Sequence, residues 1–188
     1  EPRRIIFQNL CGNLAVNGIE NVHAFQCGLG KEAENQTEAK IDFSSKLNAG
    51  GYSLGAIPGG DENIKIERLD DMVNALDNIA LIKADVEGYE LKMLMGAVNL
   101  IERDRPFLYL ENDIVEKSPE LISYLWSLKY DIWWHVVPLF NPRNRANTEQ
   151  NIFLNTASIN IICAPAEKYI NMDTNKIEDA YFHPLKGS

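Results

Sequence analysis

The chain has 188 residues, with 18 Lys plus Arg against 27 Asp plus Glu and a formal charge of −9. That length suits one domain of about 100–200 residues, and 45% apolar with 24% charged residues is a globular composition rather than a disordered one. A pI near 4.8 argues against gripping a nucleic-acid backbone or an anionic membrane, and no apolar run approaches the roughly 20 residues of a membrane span. Cys11, Cys27 and Cys163 are odd in number and far apart, which suits a reduced, cytoplasmic protein better than a disulfide scaffold.

From Arg3 to Asn17, Ile6, Leu10 and Leu14 recur on one helical face, and Gly18 suits the turn that ends a helix. Asn21–Cys27 predicts a strand with Val22, Ala24 and Cys27 inward, closed by Gly28 and Gly30. Residues 31–63 are polar and turn-rich, with extended pieces expected around Lys40–Phe43 and Tyr52–Ile57. A short strand at Ile64–Ile66 leads into a helix over Leu69–Leu76, whose first turn holds Asp70 and Asp71.

Ile79–Val86 is an apolar strand interrupted by Lys83, a residue expected to pair with a carboxylate. Gly88–Arg103 predicts one continuous helix, striped by Leu91, Leu94, Met95, Val98 and Ile101. Pro106–Leu110 is a strand ended by Glu111, Asn112 and Asp113. Ser118 and Pro119 read as N-cap and N1 of a helix facing the core with Leu121, Ile122, Leu125 and Leu128. An aromatic strand over Tyr130–Val137, a loop over residues 138–150 and a last strand at Ser158–Cys163 complete the order.

Strands alternating with helices predict an α/β layer fold with a mostly parallel sheet, the last strand antiparallel at or near its edge. Ligands of such sheets lie beyond the carboxyl ends of the strands. Those ends gather Asp85, Glu87, Glu111 and Asp113, with Glu90 one turn on. Such a cluster is costly unless it holds a cation, a positive ligand or backbone donors, and Glu87 and Glu90 could instead cap the following helix. Lys83 is the natural partner of these acids. His135 beside Trp133 and Trp134 is either a base near neutral pH or a structural histidine. His23 and His183 have no companions at metal-ligand spacing, and Asn141, Arg143 and Asn144 sit in a loop within reach of a ligand. The aromatic group Trp126, Tyr130, Trp133, Trp134 offers stacking surface, though at strand spacing half of it belongs to the core.

Leu69-Asp70-Asp71, Ile82-Lys83-Ala84-Asp85-Val86-Glu87-Gly88-Tyr89-Glu90, Leu94-Met95-Gly96-Ala97 and Arg105-Pro106 with Glu111 follow one another in order. This string resembles the FkbM family of S-adenosylmethionine-dependent methyltransferases. The opening Glu1-Pro2, the Asn21-Val22 and Gly28-Leu29-Gly30 segments, and Asn48 with Gly50, Gly51 and Ser53 are similar to further family elements.

The resemblance implies a Rossmann-like class I methyltransferase sheet over residues 1–188, with 165–188 as a C-terminal extension. It implies S-adenosyl-L-methionine as cofactor and O-methylation of a sugar, glycan or secondary metabolite. Glu1 would take the ribose hydroxyls, Gln26, Cys27 and Gly28 would meet the adenine, and Asp85 would stand where donor and acceptor meet. Lys83 and Glu87 would complete the catalytic group, while Asn48, Ser53, Glu111, Asn112 and His135 would contact the acceptor. The family's glycine-rich turn comes before the ribose acid, so the chain is expected to start part-way through the domain, without its first strand and helix. Two rival expectations are a metal-dependent hydrolase built on Asp85, Glu87 and Glu111, and a non-catalytic remnant of the fold.

Overall fold

The computed structural model describes residues 1–40, 53–54, 59–73, 76, 78–154, 156–170 and 172–186. In chain order the elements are α1 (Arg4–Val16), β1 (Gly28–Leu29), β2 (Glu34–Glu38), β3 (Glu62–Glu67), α2 (Leu69–Met72), β4 (Leu81–Ala84), α3 (Glu90–Met95), α4 (Val98–Asp104), β5 (Phe107–Glu111), α5 (Ser118–Ser127), β6 (Tyr130–Pro138) and β7 (Ala157–Pro165). The chain groups into two compact units, Glu1–Asp77 with Lys92–Arg103, and Asn78–Leu91 with Asp104–Ser188.

The first unit holds a three-stranded sheet ordered β1-β3-β2, β1 parallel and β2 antiparallel to β3. Its buried apolar residues include Ile64 and Ile66 of β3 with Met93, Leu94, Ala97, Leu100 and Ile101. α1 forms as its periodicity predicts and ends at Gly18 in the left-handed region (φ 61°). None of its residues is fully buried, and Leu10 of its apolar face is exposed. What ties its start down is polar: the buried Arg3 pairs with the buried Glu38, and Glu62 accepts the Arg4 amide.

The strand expected over Asn21–Cys27 does not form: β-pairing starts only at Gly28–Leu29, which face Ile66 and Glu67 of β3. β2 itself, Glu-Asn-Gln-Thr-Glu, has no apolar alternation from which to predict a strand. The expected extended pieces around Lys40–Phe43 and Tyr52–Ile57 lie almost wholly outside the described residues.

The predicted helix over Gly88–Arg103 is two helices. The Gly96 carbonyl accepts the Asp70 amide at 2.9 Å, and a Cβ on Gly96 would sit 2.0 Å from the Gly30 carbonyl oxygen. The backbone bends at Gly96-Ala97 and α4 starts afresh at Val98.

The second unit is a four-stranded sheet ordered β4-β5-β7-β6. β4 and β5 are parallel, and β7 runs antiparallel to both β5 and β6, so the carboxyl ends of β4, β5 and β6 share one edge. The two sheets are thus mixed rather than mostly parallel, while β7 is antiparallel as expected and lies one strand in from the margin. The outer strand is β6, whose free side is lined by the C-terminal segment: Ile177 N–H donates to the Ile132 carbonyl and Trp134 N–H to the Asn175 carbonyl.

One face of this sheet is the core, where Leu110, Ile161 and Trp134 stand in one cross-strand row and Leu108, Cys163 and Ile132 in the next. α5 adds Leu121, Ile122 and Leu125. Ser118 is the first helical residue rather than the N-cap, which is Lys117, because its buried hydroxyl is held by the Asn112 side-chain amide at 3.0 Å. Arg105 anchors the start of β5 by donating to the Leu128 and Lys129 carbonyls and to Glu167, whose carboxyl this pairing pulls down to about 2.

Candidate active site

The opposite face of the four-stranded sheet carries titratable side chains. Strand alternation places Lys83, Tyr109, Ile162 and Trp133 in one cross-strand row, and Glu111, Asn160 and His135 in the next. Beyond the end of β4 the chain turns through Glu87 (φ 53°) and Gly88 (φ 86°), two successive left-handed residues. That turn lets the buried Glu90 accept the Val86 and Gly88 amides at 3.1 and 3.3 Å. Glu90 is therefore the acid that satisfies free backbone donors, and Glu87 is left facing other acids.

Asp85, Glu87 and Glu111 each offer a carboxylate oxygen, and these oxygens lie within 4.8 Å of one another. Asp85 is half-exposed and accepts Lys83 Nζ at 2.9 Å, so the expected pairing forms, although on an exposed strand rather than a buried one. Glu111 is pushed up to about 8 by burial first, then by Asp85, Asp113 and Glu87, and by a hydrogen bond with Asp85. Glu87 is raised by burial and then by Asp113, Asp85 and Glu90. One Glu111 oxygen, Oε2, is buried without a hydrogen-bond partner among the described residues. Burial and the neighbouring acids thus favour the protonated form of Glu111 near neutral pH.

His135 Nδ1 lies 3.0 Å from the Tyr109 hydroxyl, with the rings edge to face at 5.7 Å, on the same sheet face as Glu111. Asn112 is spent inside the fold: its side chain donates to Ser118 and its carbonyl accepts His183 Nε2 at 2.9 Å. His183, whose place in the sequence carries no hint of burial, also accepts the Leu185 amide on Nδ1, which fixes the neutral Nε2–H tautomer. Tyr130, Trp133 and Trp134 are buried, and only Trp126 of the aromatic group keeps an exposed flank.

The remaining expected residues sit in the first unit. The Glu1 carboxylate accepts the Arg3 amide through Oε1 at 2.8 Å. Gln26 is exposed and lines a cavity of about 470 Å³ with Lys40, Asp61 and Glu62. Cys27 is half-buried against the Met72 sulfur, and burial raises its thiol above the ordinary range. The absent side chain of Gly28 leaves room for Leu54, whose Cδ1 would lie 2.8 Å from a Cβ there. Ser53 is half-buried outside regular structure, and Asn48 lies outside the described residues.

A family model, the methyltransferase FkbM domain, matches residues 1–132. The chain belongs to the FkbM methyltransferase family. The methyltransferase FkbM from Methylobacillus flagellatus KT, known as a crystal structure, is similar in fold, with a TM-score of 0.53 at 20% identity over 86% of this chain and 35% of that one. At that identity the likeness speaks for the fold alone, and the chain spans about a third of the neighbour's length, 35%. No curated protein matches the sequence. The FkbM signature here divides into structural and chemical parts: Asp70, Gly96, Arg105 and Glu90 hold backbone, while Lys83, Asp85, Glu87 and Glu111 meet at the sheet edge. No described helix is long and apolar enough to cross a membrane.

The donors and acceptors for an S-adenosyl group fit in chemistry. The Glu1 carboxylate spends Oε1 on the Arg3 amide, which leaves Oε2 to accept ribose hydroxyls. The exposed Gln26 amide can both donate and accept at an adenine edge.

Proposed function

We propose that this FkbM domain performs S-adenosylmethionine-dependent O-methylation, with a hydroxyl of a sugar, glycan or secondary metabolite as acceptor. The reading rests above all on the half-exposed Asp85 carboxylate, held by Lys83 at the carboxyl end of β4 and flanked by Glu111. The cofactor, when bound, supplies a methyl group on a sulfonium. Residues 1–188 act as one methyltransferase-like domain in the cytoplasm, on a small-molecule or glycan acceptor rather than nucleic acid or membrane.

In-line displacement asks mainly for alignment of the acceptor oxygen. Asp85 steers the hydroxyl and takes its proton, placed for this at the carboxyl end of β4 beside Lys83. Glu111, whose carboxyl burial pushes up to about 8, donates to an acceptor oxygen, and Lys83 Nζ donates to Asp85. Glu87, Ser53 and His135 contact the acceptor; Glu1, Gln26, Cys27 and Gly28 serve the cofactor.

A second reading, a metal-dependent hydrolase, draws on the three carboxylate oxygens within 4.8 Å, a spacing that oxygen-preferring divalent cations accept. Calorimetry separates the two. Binding of S-adenosylhomocysteine without added metal supports methyl transfer, whereas tight Mg²⁺ binding without nucleoside affinity supports the hydrolase. Binding of neither leaves a non-catalytic module. In an active preparation, Asp85→Asn is expected to lower turnover by about 10²–10⁴-fold while leaving the circular dichroism unchanged. Wild-type turnover by that variant removes Asp85 from the mechanism.

A further inference from the structure

β6 leaves the sheet at Pro138 and β7 re-enters at Ala157, so the loop between them springs from the edge that carries the ends of β4 and β5. This loop holds a cavity of about 350 Å³, within the roughly 300–1,000 Å³ usual for small-molecule sites. Its walls are Phe140 and Phe153 with two aliphatic side chains, and the polar groups of Asn141, Asn144, Thr148 and Gln150. No described lining residue carries a charge, although the chain as a whole stands at −9.

The loop closes on itself. Asn144 Nδ2 donates to the Asn141 and Thr148 carbonyls at 3.0 and 2.8 Å, and its Oδ1 accepts the Thr148 amide at 3.2 Å. That leaves three polar groups with spare capacity. The Asn141 side-chain nitrogen makes no hydrogen bond among the described residues, since only Oδ1 is used, by the Arg143 amide. The Thr148 hydroxyl accepts the Gln150 amide and keeps its proton to donate. The Gln150 side chain makes no hydrogen bond among the described residues. Phe153 is 44% exposed, an aromatic face open to solvent beside those groups.

From this chemistry we infer that the β6–β7 loop is a binding site for a neutral, polyhydroxylated ring, the glycosyl part of the acceptor. The absence of a charged lining residue disfavours phosphates, nucleotides and uronates. The two amides and one hydroxyl with spare capacity disfavour a purely apolar ligand, since their desolvation would go uncompensated. A sugar ring matches both halves, offering its C–H face to Phe153 and its hydroxyls to Asn141, Thr148 and Gln150. The self-closed loop lowers the ordering cost of binding. This site deepens the methyl-transfer reading and rests on it for calling the sugar an acceptor; the binding itself does not depend on that reading.

The test is a ¹H–¹⁵N NMR titration of the full chain with the methyl glycosides of glucose, galactose, mannose, fucose and N-acetylglucosamine, with glucose 6-phosphate as the charged control. At least one neutral glycoside is expected to shift amides of residues 139–153 saturably, and the phosphate is expected not to. Phe153→Ala, at an exposed position, should weaken that binding about threefold to tenfold, and Gln150→Ala should weaken it as well. If no neutral glycoside shifts these amides up to its solubility limit, or if the shifts survive Phe153→Ala unchanged, the site is not there. Shifts obtained without any S-adenosylhomocysteine binding would keep this site and overturn the methyltransferase reading, so the two fail separately.

Discussion

The carboxylate of Asp70, in the first turn of α2, accepts the backbone amide of Leu100 at 2.9 Å and that of Asn99 at 3.1 Å. An acid whose position suggests a role in its own helix is thus the cap of α4, eliminating two of the free amides every helix start presents. Asp70 is 4% exposed, so water cannot replace it. Asp70→Ala should cost about 2 kcal/mol, at the upper end for a lost cap, while Asp71→Ala, at an exposed neighbour, should stay within about 0.5 kcal/mol. Urea denaturation of the two variants checks this; equal losses would mean that the cap contributes nothing special.

Gly96 is the joint that separates α3 from α4, and its lack of a side chain lets it approach the Gly30 carbonyl. A methyl group there would meet backbone at 2.0 Å, with no flexible side chain able to move aside. Gly96→Ala should therefore lose about 3 kcal/mol or more. Gly12 of α1 has nothing within 4 Å of a Cβ, so Gly12→Ala should gain about 0.5–1 kcal/mol from helix propensity. Opposite signs for the two substitutions in thermal melts are the expected result, and a tolerated Gly96→Ala would refute the close approach.

Arg3 and Glu38 form a buried ion pair, 3% and 1% exposed, and Arg3 also donates to the Ala39 carbonyl at 3.1 Å. Removing one partner takes the main counter-charge from the other, although Glu62 still lies 3.6 Å from Arg3 and Gln36 still donates to Glu38, so Arg3→Met and Glu38→Leu should each cost about 3 kcal/mol. The double variant Arg3→Met/Glu38→Leu should recover most of that loss, because the desolvation penalty disappears with both charges. A denaturant-unfolding cycle over the four proteins measures the coupling directly.

Periodic segments are legible in the amino-acid sequence because their signal is local. The spacing of Ile6 to Leu14 marks α1, Leu121 to Leu125 mark the core face of α5, and the acids after β4 and β5 do meet. Features set by distant partners are not legible in this way. β2 is polar on both faces and is recognisable only once β3 pairs with it. The break at Gly96 depends on Gly30 and Asp70, far off in sequence, while the helical stripe of Leu91 to Ile101 runs straight through it. Ser118 and Pro119 announce a helix start correctly, but Asn112 takes the hydroxyl the cap would have used. His183 carries no local pattern at all, since its burial comes from Trp134 and the Asn112 carbonyl.

The proton on Glu111 makes stability pH-dependent. Folding raises this carboxyl from 4.5 to about 8, first through burial and then through Asp85, Asp113 and Glu87. The protonated form is favoured in the folded chain, so this group's contribution is fully present below pH 4.5 and is lost as pH climbs through about 8. Across that interval the folded protein retains a proton that the unfolded chain has released, and stability falls with rising pH. Glu87, raised for the same first cause, adds in the same direction. Glu111→Gln keeps the size and the donor of the protonated acid but cannot ionise, so its urea midpoint should fall less than that of the parent protein between about pH 5 and about pH 8. Parallel midpoints for the two proteins across that range would show that folding does not raise the Glu111 carboxyl.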